Sequence, residues 1–397
     1  VTIDLAELLS SLVAIPSVNP MGREIHGSDY GESRLTDFLE SLFTQMGLPN
    51  RRQEVEPGRE NITARLDGTV PPEDGGQVIL LSVHQDTVPV AGMTIEPFVP
   101  QIREGRLYGR GACDVKGGMA AMLSAIARLT DERPRGMPTI VLACTANEEC
   151  GFSGAKALAE TCSSGNGGII PRWPDAAVVA EPTELDVVVA HKGVVRWRCH
   201  TRGVAGHSAR PDSGVNAIYR MGHALRAIEQ YQREVVGQMA SHPLCGQATL
   251  SVGTIDGGVG VNTIPDRCTI EIDRRLCPAE TADEAYQHAV SYLASEAGLG
   301  FSLDHDPPFM EGMALSDDSN GQIAERIVSA VRDVAGTCRK IGVPYATDAA
   351  FLAAAGIPTV VFGPGSIQQA HTKDEWIDLE QLEQAAEIFD RVGRVGL

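Results

Sequence analysis

The sequence lacks any run near the roughly 18 consecutive apolar residues that a membrane helix needs, which excludes a helical membrane span. Its first twenty residues, VTIDLAELLSSLVAIPSVNP, carry no basic n-region and no small-residue cleavage site, so they do not read as a secretory signal. Positive charge is scarce: 33 Lys and Arg stand against 52 Asp and Glu, a formal net charge of −19. Such a polyanion repels nucleic acid and anionic lipid, which excludes both as partners. The nine cysteines are scattered without CxxC-type spacing, which excludes a zinc knuckle and a disulfide framework. Internal repeats and low-complexity tracts are absent too. The expectation is a cytoplasmic enzyme-sized chain with reduced thiols.

What is present is ordinary globular material, 43% hydrophobic and 21% charged over 397 residues, long enough for two domains. DLAELLSSLVAI and SRLTDFLESLFTQMG repeat apolar residues at helical steps. NITARLDG follows as a strand, then a Pro/Gly turn at 71–76. Continuously apolar strands are predicted at 77–86, 138–149 and 175–183, with helices at 116–130 and from 153, as in a sheet buried on both faces. This is an α/β doubly wound pattern. From residue 192 the order becomes β-α-β-β-α-β, with helices at 213–234 and 281–298 and a last strand at 301–305. After 306 the α/β pattern returns. The expected division is a catalytic domain of residues 1–191 and 306–397 with an inserted domain of residues 192–305.

Polar residues gather where those strands end. His84 and Asp86 close one strand, Glu148 and Glu149 the next, and Glu181 a third. His371 follows the late strand PTVVFG, and Asp114 lies in the glycine-bracketed loop GRGACDVKGG. Functional groups of open α/β sheets collect at the carboxyl ends of strands. His, Asp and Glu without cysteine suit zinc or a similar divalent ion in a hydrolytic site. Two ions sharing a bridging carboxylate need roughly five protein ligands. In an extended backbone His84 and Asp86 share a face, so the Asp86 carboxylate is expected to accept the imidazole N–H. Of the pair Glu148-Glu149, one is expected to be a ligand and the other a general base; the residues themselves leave open which.

The segments VHQDTVP, GRGACDVKGGMAAML, TANEECGFSGA, VVAEPT, GHSARPDSGVNAI and AHTKDEW resemble the aminoacylase / acetylornithine deacetylase / succinyl-diaminopimelate desuccinylase / carboxypeptidase family of dinuclear zinc hydrolases. The resemblance runs in order along nearly the whole chain and is closest to acetylornithine deacetylases. It implies two Zn2+ ions, with Co2+ or Mn2+ as substitutes. His84 and Glu181 would hold one ion, Glu149 and His371 the other, and Asp114 would bridge them, with a cis peptide bond after Asp114. Glu148 would be the general base, Asp86 the residue orienting His84, and His207 a lid histidine serving the partner subunit of a homodimer. Asn262, Arg275 and the turn Gly363, Gly365 and Ser366 match substrate-binding positions, the turn through backbone N–H groups. TDAAF places Ala350 where desuccinylases carry an arginine, which disfavours succinylated substrates.

The expected activity is therefore hydrolysis of N-acyl-L-amino acids. A carboxypeptidase, dipeptidase or desuccinylase activity on the same scaffold is the alternative, with a non-catalytic binding protein a distant third. His191, His200, His223, His242, His288 and His305 read as structural or surface residues, and Cys113 and Cys144 as packing residues. Lys116 reads as a solvated helix-start lysine or a substrate contact. Ser208 has no partnering base and is not a nucleophile.

Overall fold

The computed structural model describes residues 3–25, 27–164, 168–239, 241–295 and 297–396. The chain divides into two compact units. The first comprises Val1–Val189, Asp317–Ile341 and Thr347–Leu397; the second comprises Ala190–Ser316 and Gly342–Ala346.

The first unit is built on a mixed sheet of eight strands: β1 (Asn50–Glu56), β2 (Arg59–Leu66), β3 (Val78–His84), β4 (Thr139–Thr145), β5 (Ala176–Val179), β6 (Val187–His191), β7 (Lys340–Val343) and β8 (Thr359–Val361). Their spatial order is β1-β2-β4-β3-β5-β8-β6-β7. The middle is parallel, β3 pairing with β4 and β5, and β5 with β8. The flank is antiparallel, β1 on β2 and β2 on β4. Every residue of β3, β4 and β5 is buried, which is why those segments read as continuous apolar runs rather than alternations.

Helices α1 (Leu5–Val13), α2 (Ser33–Gln45), α3 (Gly117–Glu132), α4 (Ser153–Ser164), α5 (Gly321–Ala335), α6 (Ala349–Ala354) and α7 (Leu379–Val395) complete this unit. Asp4 caps α1 by accepting from the Glu7 N–H at 2.9 Å, and Asp378 caps α7 from Glu380 and Gln381. Helix α3 is buried from Gly117 through Ala127 and shares one core with α1, α2, α5 and α7. Gly393 lets α7 approach it closely: a Cβ there would lie 2.4 Å from Leu129 Cδ1. Lys116, at the start of α3, is buried rather than solvated. Its Nζ donates to the carbonyls of Leu12 at 3.0 Å and Ile15 at 2.6 Å, and burial draws its pKa down to about 7. The expected solvated or substrate-contacting lysine is thus an internal tie between α1 and the Asp114 loop.

The second unit has an antiparallel sheet ordered Thr249–Gly257, Arg267–Leu276, Gly193–Arg202, Asp304–His305. Helices Ala217–Glu234 and Ala282–Ser295 contribute Met221, Tyr231, Ala289 and Leu293 to a core with Trp197 and Ile272. The predicted helix 281–298 includes Glu296, which lies outside the described residues. This unit runs past residue 305 because Met310–Gly312 also pairs with Gly193–Arg202. Among the described residues no helix is long and apolar enough to cross a membrane.

Candidate metal centre

The carboxyl ends of the parallel strands deliver the site. β3 ends at His84, β4 runs into Asn147, Glu148 and Glu149, and β5 into Glu181. Asp114 comes from the loop before α3, its peptide bond to Val115 cis. His371 adopts a left-handed backbone at φ 61° in the loop after β8. These residues meet in two trios, His84 with Asp114 and Glu181, and Asp114 with Glu149 and His371, whose ligand atoms lie within 4.8 Å of one another in each trio. Asp114 belongs to both. Its Oδ1 lies 3.1 Å from His84 Nε2, and its Oδ2 lies 3.2 Å from His371 Nε2. Glu181 Oε1 is 4.0 Å from His84 Nε2, and Glu149 Oε2 is 3.3 Å from His371 Nε2. The five residues expected to hold metal are thus gathered around one carboxylate that faces two ways.

A profile of peptidase family M20/M25/M40 matches residues 80–394. The chain belongs to this family. An acetylornithine deacetylase of Pectobacterium carotovorum subsp. carotovorum (strain PC1) is 32% identical over 396 residues, covering 97% of this chain and 96% of its own. Among solved structures, an M20 family metallo-carboxypeptidase from Sulfolobus solfataricus superposes with a TM-score of 0.78 at 16% identity, covering 99% of each chain. A dinuclear metal binding peptidase of the M20 family from Bacillus subtilis gives 0.64 at 17% identity, covering 98% of this chain and 97% of its own. At those identities the structures establish the shared fold. Family membership and the deacetylase relative make this chain a metal-dependent amide hydrolase.

The donor set of this M20 chain fits a pair of divalent cations on physical grounds. Glu149 Oε1 is buried with no hydrogen-bond partner, a costly state for a carboxylate oxygen unless a cation meets it. Burial first, then neighbouring carboxylates, pushes Glu149 above the usual range, and Glu148 and Glu181 well above it. The imidazoles offset this charge. His371 rises to about 10 through its bonds to Asp114 and Glu149. Burial opposes a proton on His84, yet the bond to Asp114 and the charges of Glu181 and Glu148 lift it well above its ordinary value. Asp114 is held low by both imidazoles against its own burial. Several carboxylates sharing one small space need positive charge at their centre, from imidazolium protons or from cations.

Asp86 orients the site differently from the sequence expectation. His84 Nδ1 lies 2.9 Å from the Asp86 backbone carbonyl and 3.7 Å from its carboxylate Oδ1. A carbonyl only accepts, so in the neutral ring Nδ1 carries the proton and Nε2 presents its lone pair to the site. The Asp86 carboxylate instead accepts from the N–H groups of Glu148 and Glu149, both at 3.1 Å, and from Asn19 Nδ2 at 2.7 Å. It therefore fixes the turn carrying both glutamates. Asn147, in that turn at φ 63°, is gripped by Asn19 and by Arg59, whose guanidinium is held by the fully buried Glu32.

The remaining predicted residues fall into two groups. Gly363 N–H donates to Thr183 Oγ1 at 3.1 Å and Gly365 N–H to Gln381 Oε1 at 2.9 Å. Those two amides are engaged within the protein, so neither is left to receive a substrate carboxylate as expected. His207, Asn262 and Arg275 belong to the second unit. His207 is exposed, its Nδ1 accepting from the Ala209 N–H at 3.1 Å. Asn262 is exposed, and Arg275 Nε pairs with Asp273 at 2.7 Å.

Sequence reasoning missed Asn19, Glu32, Arg59, Asp348 and Glu375. Asp348 is buried, accepts from Thr145 Oγ1 at 2.7 Å and has an unpartnered Oδ1. Burial raises its pKa to about 6. It lies in the TDAAF string two residues before Ala350, where residue type alone does not mark a carboxylate as buried.

Proposed function

We propose that this M20 hydrolase deacylates N-acyl-L-amino acids, with an N-acetylated basic amino acid of the N-acetylornithine type as substrate and two Zn2+ ions as the resident metals. The observation that carries the reading is the pair of trios sharing Asp114, with Glu148 beside them and uncommitted. Among the described residues the Glu148 carboxylate has no hydrogen-bond or ion-pair partner, and burial lifts its pKa well above the usual range, which makes its ionised form the stronger base. When bound, the cations would polarise the scissile carbonyl and bring the pKa of a water towards about 7. His84, Glu181, Glu149, His371 and Asp114 would hold them. Glu148 takes the proton of the attacking water and returns it to the departing amine. Asp86 keeps that glutamate at its post through the turn amides. In the same reading, resting on the resemblance of GHSARP, the chain is a cytoplasmic homodimer in which His207 of one copy serves the centre of the other. Asn262, Arg275 and Ser366 would contact substrate.

Ala350 is 1% exposed and brings no cation to the site, so a second substrate carboxylate finds no partner from that position. A panel of N-acetyl, N-succinyl and dipeptide substrates tests this. N-acetylornithine should exceed its N-succinyl counterpart in kcat/KM by about 100-fold, the scale set by a polar group left unpaired. Preference for the dipeptides would instead make the chain a dipeptidase or carboxypeptidase.

A further inference from the structure

Glu375 is a member of neither trio, yet it is wholly buried. Oε2 accepts from Arg110 Nη1 at 2.6 Å and from the Gly111 N–H at 3.0 Å. Oε1 accepts from the N–H groups of Cys113 and Asp114, each at 2.9 Å. A carboxylate offers about four lone-pair sites, and here all are used. Three of the donors are backbone amides of the loop that ends in Asp114, and the fourth is the side chain that begins it. The Glu375 carbonyl adds a bond from the Gly109 N–H at 3.0 Å.

Glu375 stands four residues beyond His371, in the loop that presents that imidazole. Residues 376–378 then pair with 106–108, and the Thr94 N–H donates to the Lys373 carbonyl at 2.8 Å. The loops of Asp114 and His371, 257 residues apart in sequence, are therefore joined through one carboxylate. Asp114 Oδ2 and His371 Nε2 lie 3.2 Å apart on the far side of that joint.

We infer that Glu375 is a positioning residue that shapes the Asp114 loop before any ion arrives and locks Asp114 to His371 as one preformed ligand pair. The inference rests on the dinuclear reading of the five ligands. Its physical content is preorganisation: groups that would otherwise be ordered by the ion are ordered by four hydrogen bonds to a charge, the stronger kind. Partners that orient ligands in this way typically contribute about 10–100-fold to metal affinity.

Glu375→Gln keeps the shape but replaces one acceptor oxygen with an amide nitrogen, stranding two of the four donors. Isothermal titration of chelator-stripped protein with Zn2+ should show about 10–100-fold weaker binding in the variant. Its kcat should fall at limiting zinc and recover as zinc is raised, with KM for the acylated substrate unchanged. Two ions bound with wild-type affinity would overturn the inference. Should the variant fail to fold, amide hydrogen exchange on the stripped wild-type protein decides. The Gly111, Cys113 and Asp114 amides should exchange slowly without metal, and exchange at loop-like rates would overturn it. Wild-type protein that binds zinc but hydrolyses no N-acyl amino acid would reject the proposed substrate and leave the role of Glu375 standing.

Discussion

Asp86, Asp114, Glu149 and Glu181 each bring a carboxylate oxygen within 4.0 Å of a ring nitrogen of His84 or His371, whereas Glu148 pairs with neither. It is also buried beside Glu149, so holding a proton costs it little. Glu148→Gln preserves volume and removes the basic oxygen. The variant should bind both ions as wild type does, by elemental analysis, while kcat falls about 10²–10⁴-fold with little change in KM. Loss of metal together with activity would place Glu148 among the ligands instead. At this scale the sequence was readable where chemistry is carried by residue type. His84, Glu181 and the Glu148-Glu149 pair stood out because imidazoles and acids rarely end buried strands, whereas Asp114 and His371 lie in loops and the choice of Glu149 rested on the family resemblance. What escaped was contact made by backbone: the Asp86 carbonyl on His84, the engaged amides of Gly363 and Gly365, and the amides gathered by Glu375. Backbone groups are the same in every residue, so no residue type marks them.

Elements show a similar split. Strands β3, β4 and β5 and helices α1, α2, α3, α5 and α7 were legible, because continuous apolar runs and helical periodicity are long enough to recognise. Strands β1, β6 and β7 and the small sheet of 101–103, 106–108 and 376–378 were not. Strands of three to five residues carry too little periodicity to mark them, and β1, NRRQEVE, is polar because it edges the sheet with no residue fully buried. The late strand β8 was predicted; that it runs antiparallel to β6 was not, since register is a long-range property. Part of that register is set by one side chain. Asn320, just before α5, donates from Nδ2 to the carbonyls of Val189 at 2.8 Å and Thr359 at 2.9 Å. Asn320→Ala strips both carbonyls of that donor in a buried place, and each stranded polar group costs about 1–3 kcal/mol. The variant should unfold at lower urea concentration, by about 2–6 kcal/mol in total, with the m-value unchanged. A shift below experimental error would mean that the strands hold one another without it.

For the whole molecule, the decisive asymmetry is where the charge is concentrated. The chain carries a formal −19, and its most tightly packed acids sit in the first unit, around Asp114. That unit is assembled from three separate stretches of chain, and the ligands come from two of them: His84, Asp114, Glu149 and Glu181 from the first and His371 from the last. A cation held there would join two stretches of chain that folding must bring together, and so would stabilise the folded form by mass action. At a free concentration of about 1,000 Kd, one site contributes about 4 kcal/mol. In a unit of this size that corresponds to about 10 °C in Tm, taking 2–4 °C per kcal/mol. The second unit has its own core around Trp197 and Tyr231 and no metal trio among its described residues. Calorimetry of chelator-treated protein should therefore show one transition falling by about 10 °C or more. Excess zinc should restore it, and a second transition, followed by the emission of buried Trp197, should stay where it was. Equal movement of both transitions would mean that the metal centre supports the fold of the entire chain rather than of the unit that carries its ligands.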